Sequence, residues 1–502
     1  MKNDRSIKYV RKARLGQASA DKVPKVHAEA RDWQVESRII AHPQIGLNLI
    51  PSDMFIQRLT ACIACALLAS CAVLDPNNII GRRNPDAYSP NSTSTVDGPS
   101  IDWRRAAFEY VWNTINEKYY DPALHGVDWR AARARHEPRI TAAVSDDDYW
   151  DALDRMAGEL KDSHTRVHGP KRAAQERDHE SHSLGIGMME LDGELIVSAV
   201  NPQSDAWWVG VRPGMAIKTI DNEPAMTRYR RLLGGARDSS TPWARTRGAI
   251  RAISAGELDS SVTMTFTRHT ATGSTDDINA TIKRRRFRAP PETVTRVLPS
   301  GYGYLRFSGF AGELQSGIIA AIERLKVTPG IIVDLRGNGG GSLGMANTLM
   351  SKFLPAKTKG AKILTRTGQP IKVAFITVMK LDTEIGGEPG AYAKPLVILI
   401  NDSSASASEI FAGTLQDLGR ATVIGSRTCG CLLGYLGYAD LPGGGQLAYS
   451  EVGFVLPKGT RIEGNGVKPD IEIPRTREDI LFNRDRALEA AEVHLRTEVS
   501  KK

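Results

Sequence analysis

A chain of 502 residues is too long for one ordinary hydrophobic core and predicts two to four domains. Its composition, 41% hydrophobic and 25% charged, is that of a soluble globular protein. Residues 1–70 hold 11 Lys+Arg against 6 Asp+Glu, so of the formal +9 only about +4 belongs to the rest, which gives no case for nucleic-acid binding.

Residues 54–71, MFIQRLTACIACALLASC, combine a short basic start at Arg58, an apolar run and small residues before a cysteine. That is a secretory signal pattern, too short to span a bilayer comfortably. It resembles a bacterial lipoprotein signal, in which Leu68, Ala69 and Ser70 precede the cleavage point and Cys71 carries the lipid. The alternatives are a buried helix or an uncleaved anchor. Met54 then reads as the start, and residues 1–53 as an unstructured upstream extension. The resemblance implies export and a lipid anchor at the periplasmic face of a bacterial membrane, with the outer membrane expected. Cys62 and Cys65 fall inside the signal, which leaves Cys429 and Cys431. A disulfide between positions two apart is geometrically demanding, so free thiols are expected there, with a redox switch as the alternative. Neither spacing nor accompanying histidines suggest zinc.

Residues 72–100 are rich in Pro, Asn, Ser and Gly and read as a flexible tether. The stretch 101–170 predicts a small helical domain, with Ala107, Tyr110, Val111, Ile115 and Tyr119 near helical spacing in its first helix, and ends in KDSHTRVHGP. Residues 171–182 are highly charged and read as an exposed connection. Short strands follow over 183–285, and SLGIG (Ser183–Gly187) with VGVRPGMAIKTIDN resembles a PDZ domain. That resemblance implies capture of a peptide's C-terminal tail as an added strand, with Leu184, Gly185, Ile186 and Gly187 at the binding loop. Met215, where the family commonly has an acid, is a departure; a small barrel acting as a spacer is the alternative. From 290 to 475 strands and helices alternate, which argues an α/β core with a central sheet, and residues 476–502 read as one C-terminal helix. The expected fold class is therefore multidomain α+β.

Four serines, Ser403, Ser404, Ser406 and Ser408, follow the apolar run PLVILI at what reads as a strand-to-helix junction. A hydroxyl there stands at the mouth of a sheet, beside first-turn N–H groups that can receive an oxyanion; the plain alternative is that these serines are helix caps. DLRGNGGGSLG, Asp334–Gly344, follows another buried strand, and its three consecutive glycines let backbone approach a ligand closely.

Together, DLRGNGGG and SASASEIFAGTLQD resemble the tail-specific, or C-terminal processing, serine peptidase family. The resemblance implies Ser406 as nucleophile, with Ala407 N–H and Gly340 forming the oxyanion hole. It also exposes a gap, because Cys431 occupies the position of that family's lysine base, and a thiol is a poor replacement. A second branch, resembling the tricorn protease core, uses histidine. DSHT at 162–165 matches its Ser-His pair and implies His164 as general base with Ser163 beside it; RIEGNGVKPD places Glu463 at its carboxylate position. Glu409 and Asp417 are expected to be structural and His168 to be exposed, while Lys458 stays open as a substitute base. The resemblance implies a serine endopeptidase acting through an acyl-enzyme on exported proteins or peptides, with no cofactor, metal or nucleic acid. The alternative is a catalytically silent peptide-binding protein that keeps the fold.

Overall fold

Side-chain caps start the first three α-helices among the described residues. Asp102 accepts N–H groups at the start of Trp103–Lys118, Asp128 does so for Trp129–Thr141, and Ser145 for Asp146–Gly158. Asp146, Asp147 and Asp148 crowd the first turn of the third helix, where negative charge suits the helix dipole. The computed structural model describes residues 102–177, 180–269, 275–373 and 375–501. The signal-like segment with Cys71, the upstream extension and the tether lie outside the described residues.

These helices do not form a core alone. Phe108, Val111, Ile115, Tyr149, Trp150, Leu153 and Met156 pack with Leu441, Leu447 and Tyr449, contributed from almost 300 residues later in the chain. Directly after them, Arg166–His168 pairs antiparallel with Gln446–Ala448. The strand pairing draws His168 inside, where it is 3% exposed and its Nδ1 lies 3.1 Å from Glu176 Oε2. His168 is therefore not the exposed residue expected. Nor is 171–182 a plain connection: it contains the helix Pro170–Arg177 and the strand Glu180–Ser183, which pairs with Arg285–Arg288.

An antiparallel sheet follows, with strands Ile186–Leu191, Glu194–Val200, Ala216–Ile220, Ser261–His269 and Thr275–Lys283 side by side in that order. Ile186–Leu191 is an edge strand, with only Glu194–Val200 as a ladder partner. Leu195, Val197, Ile217, Met264 and Phe266 pack against Tyr229 and Ile253, which lie on two helices, Ala225–Gly235 and Pro242–Ser254. Sequence patterning misses both helices because each is rich in arginine and shows only a thin apolar stripe. Met215, the departure from the PDZ pattern, is buried in this core.

The central sheet has the order Thr293–Val297, Gly303–Phe307, Ile331–Asp334, Leu396–Ile400, Thr422–Gly425, Ile471–Glu472. Only the first pair is antiparallel. The inner strands Ile331–Asp334 and Leu396–Ile400 are buried along their whole length and almost wholly apolar because both faces are covered. Ile398 and Ile400 face Phe411 and Leu415, whereas Val397 and Leu399 face Ala491 and Leu495. The C-terminal region is two helices rather than one, Arg477–Leu481 and Arg486–Ser500, with Asn483 between them at φ 50°. Ile331–Asp334 and Leu396–Ile400 are parallel neighbours, Ile331 opposite Leu396, so the loops leaving their carboxyl ends emerge side by side. Among the described residues no helix is long and apolar enough to cross a membrane.

Cys429 and Cys431 form a disulfide, contrary to the expected free thiols. Gly430 between them takes φ +69°, and Glu409 accepts its N–H and that of Cys431, which folds the turn until the two Cα atoms are 5.1 Å apart, well within disulfide range. Alkylation of the unfolded protein without reductant should leave the peptide containing Cys429 and Cys431 unmodified, and prior reduction should allow two alkyl groups on it. Alkylation of that peptide without reductant, read by mass spectrometry, would contradict the pairing.

Candidate active site

The apolar strand Leu396–Ile400 ends at a tight loop that enters the helix Ala407–Asp417. Its four serines meet different fates. Ser404 and Ser408 are fully buried: Ser404 Oγ donates to Leu335 O at 2.8 Å, and Ser408 Oγ lies 2.8 Å from Asn338 Oδ1 and 2.9 Å from Asn338 O. Ser403 Oγ donates to Asp402 at 3.2 Å. Ser406 is half-buried at the helix mouth, with φ 55° and ψ −120°. A non-glycine residue there is strained and is held only by surrounding structure.

The glycine-rich loop supplies part of that structure. Asn338 is fully buried, donates its Nδ2 to Phe307 O at 3.0 Å, and accepts Ala405 N–H on its carbonyl at 3.1 Å. Gly340 sits against Ser406: a Cβ there would lie 2.7 Å from Ser406 Cβ and 2.9 Å from Ala407 N. Only glycine fits, and at φ +101° only glycine is unstrained. Gly340 N–H, however, donates to Asn338 Oδ1 at 3.0 Å. Ala407 opens the helix, where first-turn amides have no intrahelical acceptor.

Glu409, one turn into the helix, is fully buried. It accepts Ser406 N–H at 2.9 Å, Gly430 N–H at 2.8 Å, Cys431 N–H at 3.1 Å and the Thr428 hydroxyl at 2.5 Å. Burial pushes its pKa up to about 7 against the pull of these donors. Ser406 N–H also donates to Cys431 O at 3.0 Å, so the residue in the expected lysine position touches the Ser406 backbone.

His164 lies on a short strap, Asp162–Thr165, between the third helix and the strand at Arg166. Asp162 is fully buried and accepts His164 N–H at 2.7 Å, Thr165 Oγ1 at 2.5 Å and Ser450 Oγ at 2.6 Å. Burial alone would raise its pKa, but nearby His164 and these donors bring it below the usual carboxylate value. Burial pushes the His164 pKa down; Asp162 pulls it back up and Arg166 adds to the depression. His164 Nδ1 is buried without a hydrogen-bond partner, and its ring lies 6.3 Å from that of Tyr435.

The strap meets the nucleophile loop across the disulfide: Ser163 Oγ is 3.4 Å from Cys431 Sγ. Glu463 Oε2 accepts Leu432 N–H at 2.5 Å, and burial, with repulsion from Asp162, raises its pKa well above the ordinary carboxylate value. Its Oε1 is buried without a hydrogen-bond partner, and the Ser240 side chain pulls the Glu463 pKa partly back down. Ser240 and Glu463 both line a cavity of about 660 Å³ with Tyr120, His125 and Arg461. No direct bond joins His164 to Ser406, Glu463 or the Ser163 side chain. Lys458 is exposed, and its N–H bonds Asp417 at the far end of the nucleophile helix, roughly 15 Å from Ser406. Among the described residues no three His, Cys, Asp or Glu side chains converge as a metal ion would require.

At the other sequence-derived site, the Leu184 amide is taken by Ser254 and the Gly185 amide by the Ser183 hydroxyl at 3.3 Å. Ile186 and Gly187 lie on the open edge strand. Sequence reasoning missed the segment Arg237–Arg247, whose side chains reach both the His164 strap and the Cys429 turn. Its partners in the strap and the turn lie 72 to 188 residues away, and no local pattern marks them.

Residues 301–473 match peptidase family S41, and residues 102–158 match the tricorn protease C1 domain. The chain is 26% identical over 400 residues to the chloroplastic C-terminal processing peptidase of Tetradesmus obliquus, covering 76% of this chain and 79% of that protein. It is 26% identical over 366 residues to a carboxyl-terminal-processing protease of Synechocystis sp., covering 72% and 78% respectively. The crystal structure of mature CPAF superposes with a TM-score of 0.63 at 16% identity, covering 80% of this chain and 99% of that one, a likeness of fold. A strand-to-helix serine faced by a glycine-only loop is thus found where these matches lie: the chain carries a peptidase family S41 domain, preceded by a tricorn protease C1 domain, and is a serine-type peptidase.

Proposed function

We propose that the protein is an endopeptidase that forms an acyl-enzyme on Ser406, with His164 as its general base. The observation that carries this reading is the state of Cys431. Bound in a disulfide, it has no proton to exchange, and the group it meets across the loop is Ser163, the neighbour of His164.

Ser406 Oγ attacks the peptide carbonyl and gives its proton to His164, which passes it to the leaving amine; water then cleaves the ester by the same route in reverse. Asp162 holds the His164 backbone and stabilises the imidazolium as it forms, while the Ala407 amide receives the oxyanion. Gly340 contributes the space for the carbonyl, since its own amide is engaged by Asn338. Glu463, whose pKa burial raises, supports the Leu432 turn through its carboxyl oxygen.

Two parts of this reading concern substrate and place. The free edge of Ile186–Leu191 supports capture of an extended C-terminal tail by strand addition to a PDZ-like unit. The pattern at 54–71 supports export and lipid anchoring through Cys71, facing protein or peptide substrates in the periplasm, with the outer membrane as the expected site.

A fluorophosphonate probe should label the intact protein, and Ser406→Ala should abolish labelling. His164→Ala should slow it by about a thousandfold, as loss of a general base does. Absence of any Ser406-dependent label would favour the silent peptide-binding alternative.

The acid limb of kcat/KM provides a second check. The base works only when neutral, and the His164 pKa is lowered, so it stays neutral at pH values where free imidazole is already protonated. The midpoint of the acid limb should therefore lie below the ordinary imidazole value, and a midpoint above that value would contradict His164 as the base in this environment.

A further inference from the structure

We infer that Ser240, contributed by the antiparallel β unit, is a positioning residue for the His164 base. The inference rests on the catalytic reading above and extends it to a group from a third part of the chain.

Ser240 and Ser163 are bound reciprocally. Ser163 N–H donates to Ser240 Oγ at 3.0 Å, Ser240 N–H donates to Ser163 Oγ at 3.1 Å, and the two hydroxyl oxygens are 3.0 Å apart. Ser163 immediately precedes His164, so both its backbone and its hydroxyl are set from outside the strap. Three residues earlier, Arg237 donates to Asp162 O at 3.1 Å and to Thr165 O, and pairs with Asp154 at 3.2 Å. The guanidinium stem crosses Gly158, where a Cβ would come within 2.6 Å of Arg237 Cγ. Residues 162, 163 and 165 are therefore each gripped by this one segment.

The same segment reaches the other half of the site. Thr241 Oγ1 donates to Cys429 O at 2.8 Å, Trp243 Nε1 to Thr428 O at 2.9 Å, and Arg247 to Asp402 O and to Cys429 Sγ at 3.1 Å. Asp402 and the Cys429 turn flank Ser406. Base and nucleophile come from distant parts of the chain, and a stretch of eleven residues, 237–247, spans the gap between them. Misplacement of a proton acceptor by about 1 Å is costly in rate, so such a tie has a direct catalytic consequence. Ser240 is its point of contact with the residue next to the base, and it also stands beside the unpartnered Oε1 of Glu463.

The test is a double-mutant cycle on the full chain, reading fluorophosphonate labelling rate together with kcat and KM on a peptide substrate. Ser240→Ala should lower labelling and kcat about tenfold with KM changed less than twofold, and Ser240→Thr, which keeps the hydroxyl, should restore most of the rate. In a His164→Ala background, Ser240→Ala should have no further effect, because its influence passes through the imidazole. An equal loss in that background, an effect on KM alone, or no effect at all would overturn the inference. Should Ser240→Ala fail to fold, Ser240→Cys, with a weaker donor in similar volume, enters the same cycle. If His164→Ala itself leaves labelling unchanged, the catalytic reading fails first, and the two failures are distinguishable.

Discussion

The carboxylate of Glu409, buried at the first turn of the nucleophile helix, accepts three backbone N–H groups and one hydroxyl from Ser406, Gly430, Cys431 and Thr428. An unpartnered carboxylate at that depth would destabilise the fold by several kcal/mol, and four donors offset the loss of water. The same bonds join the strained turn at Ser406 to the Cys429–Cys431 turn. With its amide held by both Glu409 and Cys431 O, Ser406 keeps a backbone conformation it would not adopt in a free chain.

The disulfide takes its meaning from this arrangement. A lysine at position 431 would bring a base to the serine from within the same domain. Cys431 instead contributes a carbonyl to Ser406 and a sulfur surface to Ser163. In the proposed mechanism proton transfer is left to His164 from the helical N-terminal part, and the distance between base and nucleophile becomes a property of how these parts of the chain pack. The pairing of Arg166–His168 with Gln446–Ala448 anchors one side of that packing, and Asp162, bonded to Ser450, anchors it again within the strap.

Much of the core was legible because buried parallel strands are continuous apolar runs. IIVD, PLVILI and TVIG each stand out, and their carboxyl ends carry the glycine run and the serine run. The proposal of Ser406 as nucleophile rests on that placement together with the family pattern. Less legible were Ala225–Gly235 and Pro242–Ser254, whose arginines mask a thin apolar stripe. The burial of His168 was invisible for a different reason, since it depends on Glu176 and on a strand partner almost 280 residues away.

By itself the sequence determined the alternation of elements, the glycine-only position at Gly340 and the serine run at a strand-to-helix junction, because strand hydrophobicity and close backbone approach are local demands on residue type. Tertiary structure alone decided what becomes of each polar group: that Ser404 and Ser408 are consumed in holding loops, that Gly340 N–H belongs to Asn338, that two cysteines are joined, and that Ser240 grips Ser163. A hydrogen bond requires its partners within about 3 Å, and contact at that range between residues far apart in sequence is set only when the units pack together.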